Sequence, residues 1–401
     1  MPKPSPFHAR TQPLCTSYRW KDWAGYYAVC SYDICHEREY NAFRQGAGVI
    51  DVSPLFKYDI SGPDAAALLS WVTVRNIEKL RVGRAVYLCW TDDHGKIIDD
   101  GTCTRLDEQL YRLTAAEPMY HWLARNAEGF DVQIHDTSSE VAALALQGPT
   151  AGKILQSMTS EDISGLKFFG ATHTRFGDVE GVLTRTGYTG DLGYELWVPK
   201  DHAVALWDTL MEAGAPYNIH PAGLDALDVC RIEAGFILMG VDYIGAFDAI
   251  IDAQKSTPYE LGLGWTVKLD NRAPFIGQKA LLKEKAQGSK WAFVGLDVSW
   301  EALEALYDTH GLPPALSGAA WREPVPLYRH GEQVGRATSG TWSPILKKNL
   351  ALATVRSEWA KPGTVLDIEV TVEWARCTVP ATVVKTPFYD PPRKKAVGDD
   401  L

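Results

Sequence analysis

The sequence predicts an α+β protein that ends in a separate, all-β domain. Over roughly the first 260 residues, strand and helix signals follow one another without the regular βαβ alternation of a doubly wound sheet. From about Gly288 onward the pattern changes to short strand segments separated by glycine and proline. The length of 401 residues exceeds the roughly 250 to 300 at which one hydrophobic core stops growing. We therefore expect two or three domains that share interfaces.

The first predicted elements are a helix and an antiparallel hairpin. Pro63 precedes the segment DAAALLSWV, which has Asp64 in its first turn and apolar residues at helical spacing. Strand-like segments follow as AVYLCWT from Ala85, GKIID from Gly95 and QLYRLTA from Gln109. The turn sequence DDHG lies between the first two segments and predicts a hairpin. Together these elements indicate an α+β unit.

A second set of strands and helices follows the segment ALQGP at 145–149. The strand segment VEGVLTRTGY leads into the glycine-punctuated loop TGDLG and then into the strand YELWVP. The segment DHAVALWDTLMEAG predicts an amphipathic helix that ends at Gly214. The segment AGLDALDVCRIEAG predicts another helix, which also ends in a glycine.

The C-terminal region predicts a small β-barrel. The strand segments there are FVGLDV, PVPLYRHGEQVGRATSG, LALATV, VLDIEVTVEW and VPATVVKTPF.

Composition excludes several classes of protein. The net charge of −10 argues against a nucleic-acid partner, because neutralising phosphates requires clustered lysine and arginine. The polar, proline-rich N-terminus and the lack of a long apolar run indicate neither a signal peptide nor a membrane span, so we expect a cytoplasmic protein. The seven cysteines contain no C-x-x-C pair, and we expect neither disulfides nor a metal site.

Eight sequence segments, in order along the chain, resemble the aminomethyltransferase (glycine cleavage T-protein) family. They are IDVS at 50–53, KIIDD at 96–100, ALQGP at 145–149, TGYTGDLGYEL at 186–196, RIEAG at 231–235, GLGWTVKLD at 262–270, FIGQKAL at 275–281 and SGTWSPILKKNLALATV at 339–355. Each segment alone is a weak signal, but eight of them in the family's order make a specific match.

The resemblance implies a three-domain cloverleaf around a central channel that holds tetrahydrofolate. The first α+β, folate-binding domain would comprise 1–50 with 147–260, and the second α+β domain 51–146. A connecting segment at 261–287 would lead to the β-barrel domain at 288–401. In this family an aminomethyl group passes from the lipoyl arm of H-protein to tetrahydrofolate. Relatives with the same fold instead demethylate methylated amines, sulfonium compounds or aryl methyl ethers.

Asp100 is the predicted catalytic residue. Asp99 and Asp100 end an apolar strand, and adjacent strand residues point to opposite faces, so at most one of them faces the channel. The family motif selects Asp100. A carboxylate there would stabilise the iminium-like cation through which a one-carbon unit passes, and would manage the proton on nitrogen. The alternative is a solvated turn, since Asp-Asp-Gly is ordinary turn composition.

Further cofactor-binding residues follow from matching motif positions. The resemblance implies that Glu195 binds the pterin, because one carboxylate accepts hydrogen bonds from two adjacent N–H groups. It also implies that Tyr87 and Tyr188 pack on folate or bond to it. A solvated strand residue is the alternative for Glu195, and core packing is the alternative for both tyrosines.

Three positions depart from the T-protein pattern. Leu227 stands where that family has a folate-contacting arginine, Thr114 where it has an asparagine, and Phe236 where it has a tyrosine. These changes put the contacts to the glutamyl tail and the identity of the donor in question. Arg231 and Arg376 are candidates for binding the anionic tail, and a structural salt bridge is the alternative for each.

Three functions fit these observations. The first is transfer of an aminomethyl group from a lipoyl carrier, such as H-protein, to tetrahydrofolate. The second is folate-dependent demethylation of a small methylated donor, which is favoured by the longer segments VDYIGAFDAIIDAQKSTPYE and VSWEALEALYDTHGLPP. The third is a folate-binding accessory protein without transfer chemistry. The absence of a K-G-C-type motif near RIEAGFILMG argues against this third function.

Overall fold

A computed structural model describes residues 1–159 and 161–397. The last four residues of the predicted barrel domain and Ser160 lie outside the described residues. Within the described part, the helices are α1 (His8–Thr11), α2 (Glu37–Gln45), α3 (Ala65–Val72), α4 (Tyr120–Asn126), α5 (Ala151–Met158), α6 (Ala203–Gly214), α7 (Leu224–Glu233), α8 (Gln278–Gln287) and α9 (Trp300–Asp308).

The strands divide among a hairpin, two open sheets and a barrel. In chain order they are β1 (Arg19–Trp23), β2 (Tyr26–Ser31), β3 (Gly48–Asp51), β4 (Phe56–Ser61), β5 (Arg84–Thr91), β6 (Ile97–Asp107), β7 (Leu110–Ala115), β8 (Gln133–Asp136), β9 (Val141–Gln147), β10 (Ala171–Phe176), β11 (Val179–Thr184), β12 (Gly193–Pro199), β13 (His220–Pro221), β14 (Trp291–Val298), β15 (Val325–Arg329), β16 (Glu332–Ser343), β17 (Lys348–Arg356), β18 (Val365–Val372) and β19 (Ala375–Val384).

The strand pairing confirms the predicted fold class. One six-stranded sheet has the order β10-β11-β12-β9-β3-β13, and a five-stranded sheet has the order β5-β6-β7-β4-β8. The strands β14-β17-β16-β15-β18-β19 close into a barrel. The protein is therefore α+β with a C-terminal β-barrel, and the first two strands pair as a separate hairpin.

The predicted boundary between the first two domains needs a correction. We expected residues 51–146 to form the second α+β domain, but β9 pairs with β3 and β12 in the six-stranded sheet. All but the first of its seven residues are buried, as is typical of a central strand with both faces covered. Pairing therefore assigns 141–146 to the first sheet, and the remaining domain boundaries stay predictions.

Turn chemistry explains why β5 and β6 form a hairpin at the predicted position. Gly95 in the turn has φ +73°, a left-handed conformation that glycine adopts without steric cost. The register places Tyr87 opposite Thr102 and Cys89 opposite Asp100. Side chains directly opposite each other share one face of a sheet. This hairpin therefore fixes which side of the sheet carries Asp100.

Helix α7 is the buried connection between the first sheet and the barrel. Nine of its ten residues are buried, Asp225 being the exception, and it ends before Gly235, which has φ +68°. Glu233 accepts hydrogen bonds from Tyr40 Oη at 2.6 Å, Arg44 Nη2 at 2.6 Å and Ser343 Oγ at 2.5 Å. These donors come from α2 and from the barrel strand β16. One carboxylate thus joins two parts of the molecule.

Within residues 1–159 and 161–397, every helix is too short or too polar to span a lipid bilayer.

Candidate active site

A narrow cleft lies between the two open sheets. Thr102 and Thr104 line it from β6 and Thr114 lines it from β7, because alternate residues of a strand share a face. Glu195 and Trp197 line it from β12 in the other sheet. Threonine hydroxyls, apolar side chains and Arg112 therefore share the wall of the cleft with one carboxylate from the facing sheet.

Asp100 belongs to the same row of β6 side chains as Thr102. Tyr87 Oη donates to Asp100 Oδ2 at 2.6 Å, and Tyr243 Oη donates to Asp100 Oδ1 at 2.5 Å. Burial raises the pKa of Asp100, and the two tyrosine hydroxyls partly offset that rise. Within the described chain, no lysine or arginine pairs with this carboxylate. Asp100 is thus held in one orientation, with its charge available to a cationic group.

Asp99 points to the opposite face of β6, as strand alternation predicts. It is fully buried, and its Oδ2 accepts hydrogen bonds from the backbone N–H groups of Ala116 and Glu117, both at 3.0 Å. Asp99 therefore fixes the turn that follows β7 and has a structural role. Both residues also lie within β6 and not in a turn, which excludes the solvated-turn interpretation.

Glu195 is a half-buried acid without a cationic partner among the described residues. Burial raises its pKa to about 7, and a hydrogen bond from the Thr186 side chain partly counters the rise. Buried carboxylates are ordinarily paired, because an isolated charge in a protein interior is costly. A ligand that offers N–H donors would supply the missing partners. This residue therefore fits the predicted pterin contact.

Two pairs of stacked aromatic rings accompany the acids. Tyr188 and Phe236 stack with ring centroids 5.5 Å apart and planes inclined by 27°, and Tyr188 Oη donates to the Ile237 carbonyl. Tyr87 stacks on Trp265 at 6.1 Å and 24°. Flat faces of this kind suit a planar ligand. Tyr87 thus both holds Asp100 and forms an aromatic surface.

Two of the positions that depart from the family pattern form contacts within the protein. The hydroxyls of Thr114 and Thr102 lie 2.8 Å apart, so they hydrogen-bond to each other across the cleft wall. Leu227 is 9% exposed and belongs to an apolar cluster against which Trp23 and Tyr188 pack. An apolar surface therefore replaces the expected cation at Leu227.

Arg231 and Arg376 both form ion pairs with neighbouring carboxylates. Arg231 is buried and donates to Asp228 at 2.7 Å and to Asp242 at 2.5 Å. Arg376 lies on the exposed β18–β19 hairpin and pairs with Glu369 at 2.6 Å. The structure thus gives each arginine the structural salt bridge that we had considered as the alternative. It places Arg231 beside the site and Arg376 on the barrel surface.

Two residues of the site were not predicted from the sequence. Tyr243 contacts Asp100 across 143 residues of sequence, and Trp265 lies in the segment GLGWTVKLD. Trp265 could have been predicted as a site residue, because it stands within a motif of the resembled family. Nothing in the sequence indicated Tyr243, since it comes from the segment that is longer than the T-protein equivalent.

Comparisons with known proteins agree with the geometry. The family model described as GCVT N-terminal domain matches residues 14–271, and the model described as glycine cleavage T-protein C-terminal barrel domain matches 311–390. An aminomethyltransferase of Caldanaerobacter subterraneus subsp. tengcongensis is 34% identical over 362 residues, which cover 89% of this chain and 88% of that relative. An aminomethyltransferase of Bacillus mycoides is 35% identical over 358 residues, which cover 88% of this chain and 89% of that relative.

A solved structure shows the same architecture. The crystal structure of glycine cleavage system aminomethyltransferase T from Bartonella henselae matches with a TM-score of 0.82 at 25% identity, covering 99% of this chain and 100% of that one. Family models, relatives and fold therefore agree along nearly the whole chain. The chain belongs to the glycine cleavage T-protein family of folate-dependent aminomethyltransferases, as the sequence resemblance predicted.

Proposed function

We propose that this protein transfers a one-carbon unit from a donor to tetrahydrofolate, with Asp100 as the catalytic residue. The observation that carries the proposal is the pair of tyrosine hydroxyls that hold the Asp100 carboxylate without a cationic partner. Such a carboxylate stabilises positive charge that develops beside it in the transition state. Burial raises the pKa of Asp100, which makes its carboxylate a better proton acceptor.

The residues of the cleft fit tetrahydrofolate as the acceptor. Glu195 would accept hydrogen bonds from the pterin, and Tyr188 with Phe236 would provide a flat surface for it. When bound, tetrahydrofolate supplies the nitrogen that receives the carbon unit. The protein would then hold the reacting groups in line and keep Asp100 beside the nitrogen. Neither a metal nor a second cofactor is required for these roles.

The proposed donor is an aminomethyl group on a lipoyl carrier such as H-protein. The names of the relatives support this donor. A small methylated compound is the second candidate, and one observation favours it. Tyr243, which contacts Asp100, comes from a segment longer than its T-protein equivalent. A donor site altered by that segment would accept a different molecule.

A single reconstitution separates these functions. The protein is incubated with tetrahydrofolate and either reduced aminomethyl-lipoyl H-protein or a panel of methylated amines, sulfonium compounds and aryl methyl ethers. Mass spectrometry then detects methylene- or methyl-tetrahydrofolate. Product from H-protein alone supports the first donor, and product from the panel supports the second. Folate binding without product from either would favour an accessory protein.

Asp100→Asn tests the catalytic assignment. The variant keeps the shape of the side chain but loses the charge and one of the two oxygens that accept from the tyrosines. The transfer rate should therefore fall by about 10²- to 10⁴-fold while tetrahydrofolate still binds. Asp93→Asn, in the exposed turn before β6, is the matched control and should transfer at the wild-type rate. Wild-type transfer by Asp100→Asn would show that the assignment is wrong.

A further inference from the structure

Arg75 is an unpaired arginine at the edge of the active site. Within residues 1–159 and 161–397, its guanidinium donates no hydrogen bond and forms no ion pair. The side chain is half-buried, and its nitrogen atoms are open to solvent. Burial lowers the pKa of Arg75, as expected of a guanidinium that has lost water without gaining an anion. Its N–H donors are therefore free to bind a ligand.

The backbone places Arg75 beside the strand pair that carries Asp100. The N–H of Val74 donates to the Cys89 carbonyl at 3.1 Å, and the Val74 carbonyl accepts from the N–H of Lys268 at 2.9 Å. Cys89 lies directly opposite Asp100 in the β5–β6 register. Because neighbouring strands are about 4.8 Å apart, the backbone at Val74 lies roughly 10 Å, or two strand spacings, from that at Asp100. Arg75 is thus a near neighbour of the proposed catalytic residue.

A series of contacts through two aromatic rings joins Arg75 to Asp100. Arg75 Cζ lies 5.4 Å from the centre of the Trp265 ring. Trp265 stacks on Tyr87, and Tyr87 donates to Asp100. Trp265 is 56% exposed, so an incoming molecule can reach this ring. A guanidinium that lies over an aromatic ring is held in place while it keeps the donors that match a carboxylate.

Opposite charges therefore lie at the two ends of one aromatic surface. Asp100 attracts the group that becomes positive during transfer, and Arg75 attracts an anion. A small molecule with a methylated reacting centre at one end and a carboxylate at the other complements both charges. An aminomethyl group on a lipoyl arm brings no anion to Arg75.

We propose that Arg75 is a specificity-determining residue of the donor site, where it binds the carboxylate of a small methylated donor. The inference rests on the proposed function and deepens it, because it selects carboxylated sulfonium compounds and carboxylated aryl methyl ethers as donors. In such a transfer the bond from methyl to sulfur or oxygen breaks as the bond from methyl to the folate nitrogen forms. Asp100 accepts the proton of that nitrogen. The donor leaves as a neutral thioether or as a phenolate, so no oxidant is needed.

Arg75→Met tests the assignment, because it keeps much of the length of the side chain and removes the charge. Arg75→Lys keeps the charge, and Arg81→Met, in the exposed segment before β5, makes the same change in net charge elsewhere. The donors are dimethylsulfoniopropionate and meta-methoxybenzoate, each compared with its amide, which has nearly the same shape without the negative charge. Isothermal titration measures dissociation constants for these compounds and for tetrahydrofolate. Mass spectrometry measures kcat/KM for the formation of methyl-tetrahydrofolate.

The wild type should bind at least one of the acids about ten- to a hundredfold more tightly than its amide, the effect of charge-assisted hydrogen bonds. Arg75→Met should bind acid and amide equally, Arg75→Lys should retain most of the preference, and Arg81→Met should behave as the wild type. The ratio of kcat/KM for acid and amide should change in the same way. Tetrahydrofolate should bind equally well to all four proteins, which a general loss of structure in Arg75→Met would not allow.

Equal binding of acid and amide by the wild type, or an undiminished preference in Arg75→Met, would overturn the assignment. Weaker tetrahydrofolate binding by Arg75→Met would also overturn it, because the guanidinium would then hold the folate and not the donor. Product from aminomethyl-lipoyl H-protein alone, without any preference for an acid, would leave the proposed function standing and remove the role of Arg75. Failure of the proposed function has a different signature, since the preference for the acid would then remain in the titrations although no donor yields a folate product.

Discussion

The affinity of the protein for tetrahydrofolate should depend on pH through Glu195. Burial raises the pKa of this acid to about 7, whereas N–H donors of a bound pterin would favour its carboxylate form. Binding then requires ionised Glu195, so affinity is full above about pH 7 and is lost as pH falls through that value. With a pKa of about 7, roughly one molecule in eleven is ionised at about pH 6 and roughly ten in eleven at about pH 8. The dissociation constant should therefore be about tenfold higher at the lower pH.

Isothermal titration of tetrahydrofolate between these two pH values measures the effect. Glu195→Gln removes the titrating group and controls for protonation of the folate itself, so its weaker binding should vary little with pH. Asp107→Asn, at the exposed end of β6, should keep the wild-type pH profile. An equal pH dependence in the wild type and in Glu195→Gln would refute the reasoning, because another group would then be titrating.

Two further predictions concern the tyrosine contact of Asp100 and the buried ion pairs. Tyr243→Phe removes a hydrogen bond that lowers the pKa of Asp100, so the acidic limb of the pH–rate profile should move to higher pH; an unmoved limb would contradict this role. Arg231→Met leaves the buried Asp242 without a cation and leaves Asp228 with Arg322 alone, so it should lower the free energy of unfolding by about 3 to 5 kcal/mol in urea denaturation. Arg376→Met, which removes only an exposed pair, should leave the midpoint nearly unchanged, and equal losses in the two variants would contradict the structural role of Arg231.

Local sequence patterns predicted most of the fold because the elements have strong local signals. The apolar spacing after Pro63 and the DDHG turn lead directly to α3 and to the β5–β6 hairpin. The position of β9 could not be predicted in this way. Its continuous apolar run indicates a buried strand, but pairing partners are set by tertiary contacts that a local pattern does not contain.

The site was predictable where a strand or a motif determines which way a side chain points. Strand alternation separated Asp99 from Asp100, and the structure confirms that they lie on opposite faces. The contacts of Tyr243 with Asp100 and of Arg322 with Asp228 depend on segments distant in sequence. No periodicity relates such residues, so only the assembled structure reveals them.

The connection through α7 limits how this protein can evolve. Asp242 accepts hydrogen bonds from Thr338 and Ser339 of the barrel, at 2.5 and 2.8 Å, and immediately precedes Tyr243, which contacts Asp100. In a chimera that joined the first 287 residues of this chain to the barrel of a relative, Oδ1 of the buried Asp242 would lose both of its hydrogen-bond donors unless those two hydroxyls were inherited with the barrel. Recombination among members of the family should therefore exchange the barrel and the 237–243 segment together, as one heritable unit, although they are separated in the gene.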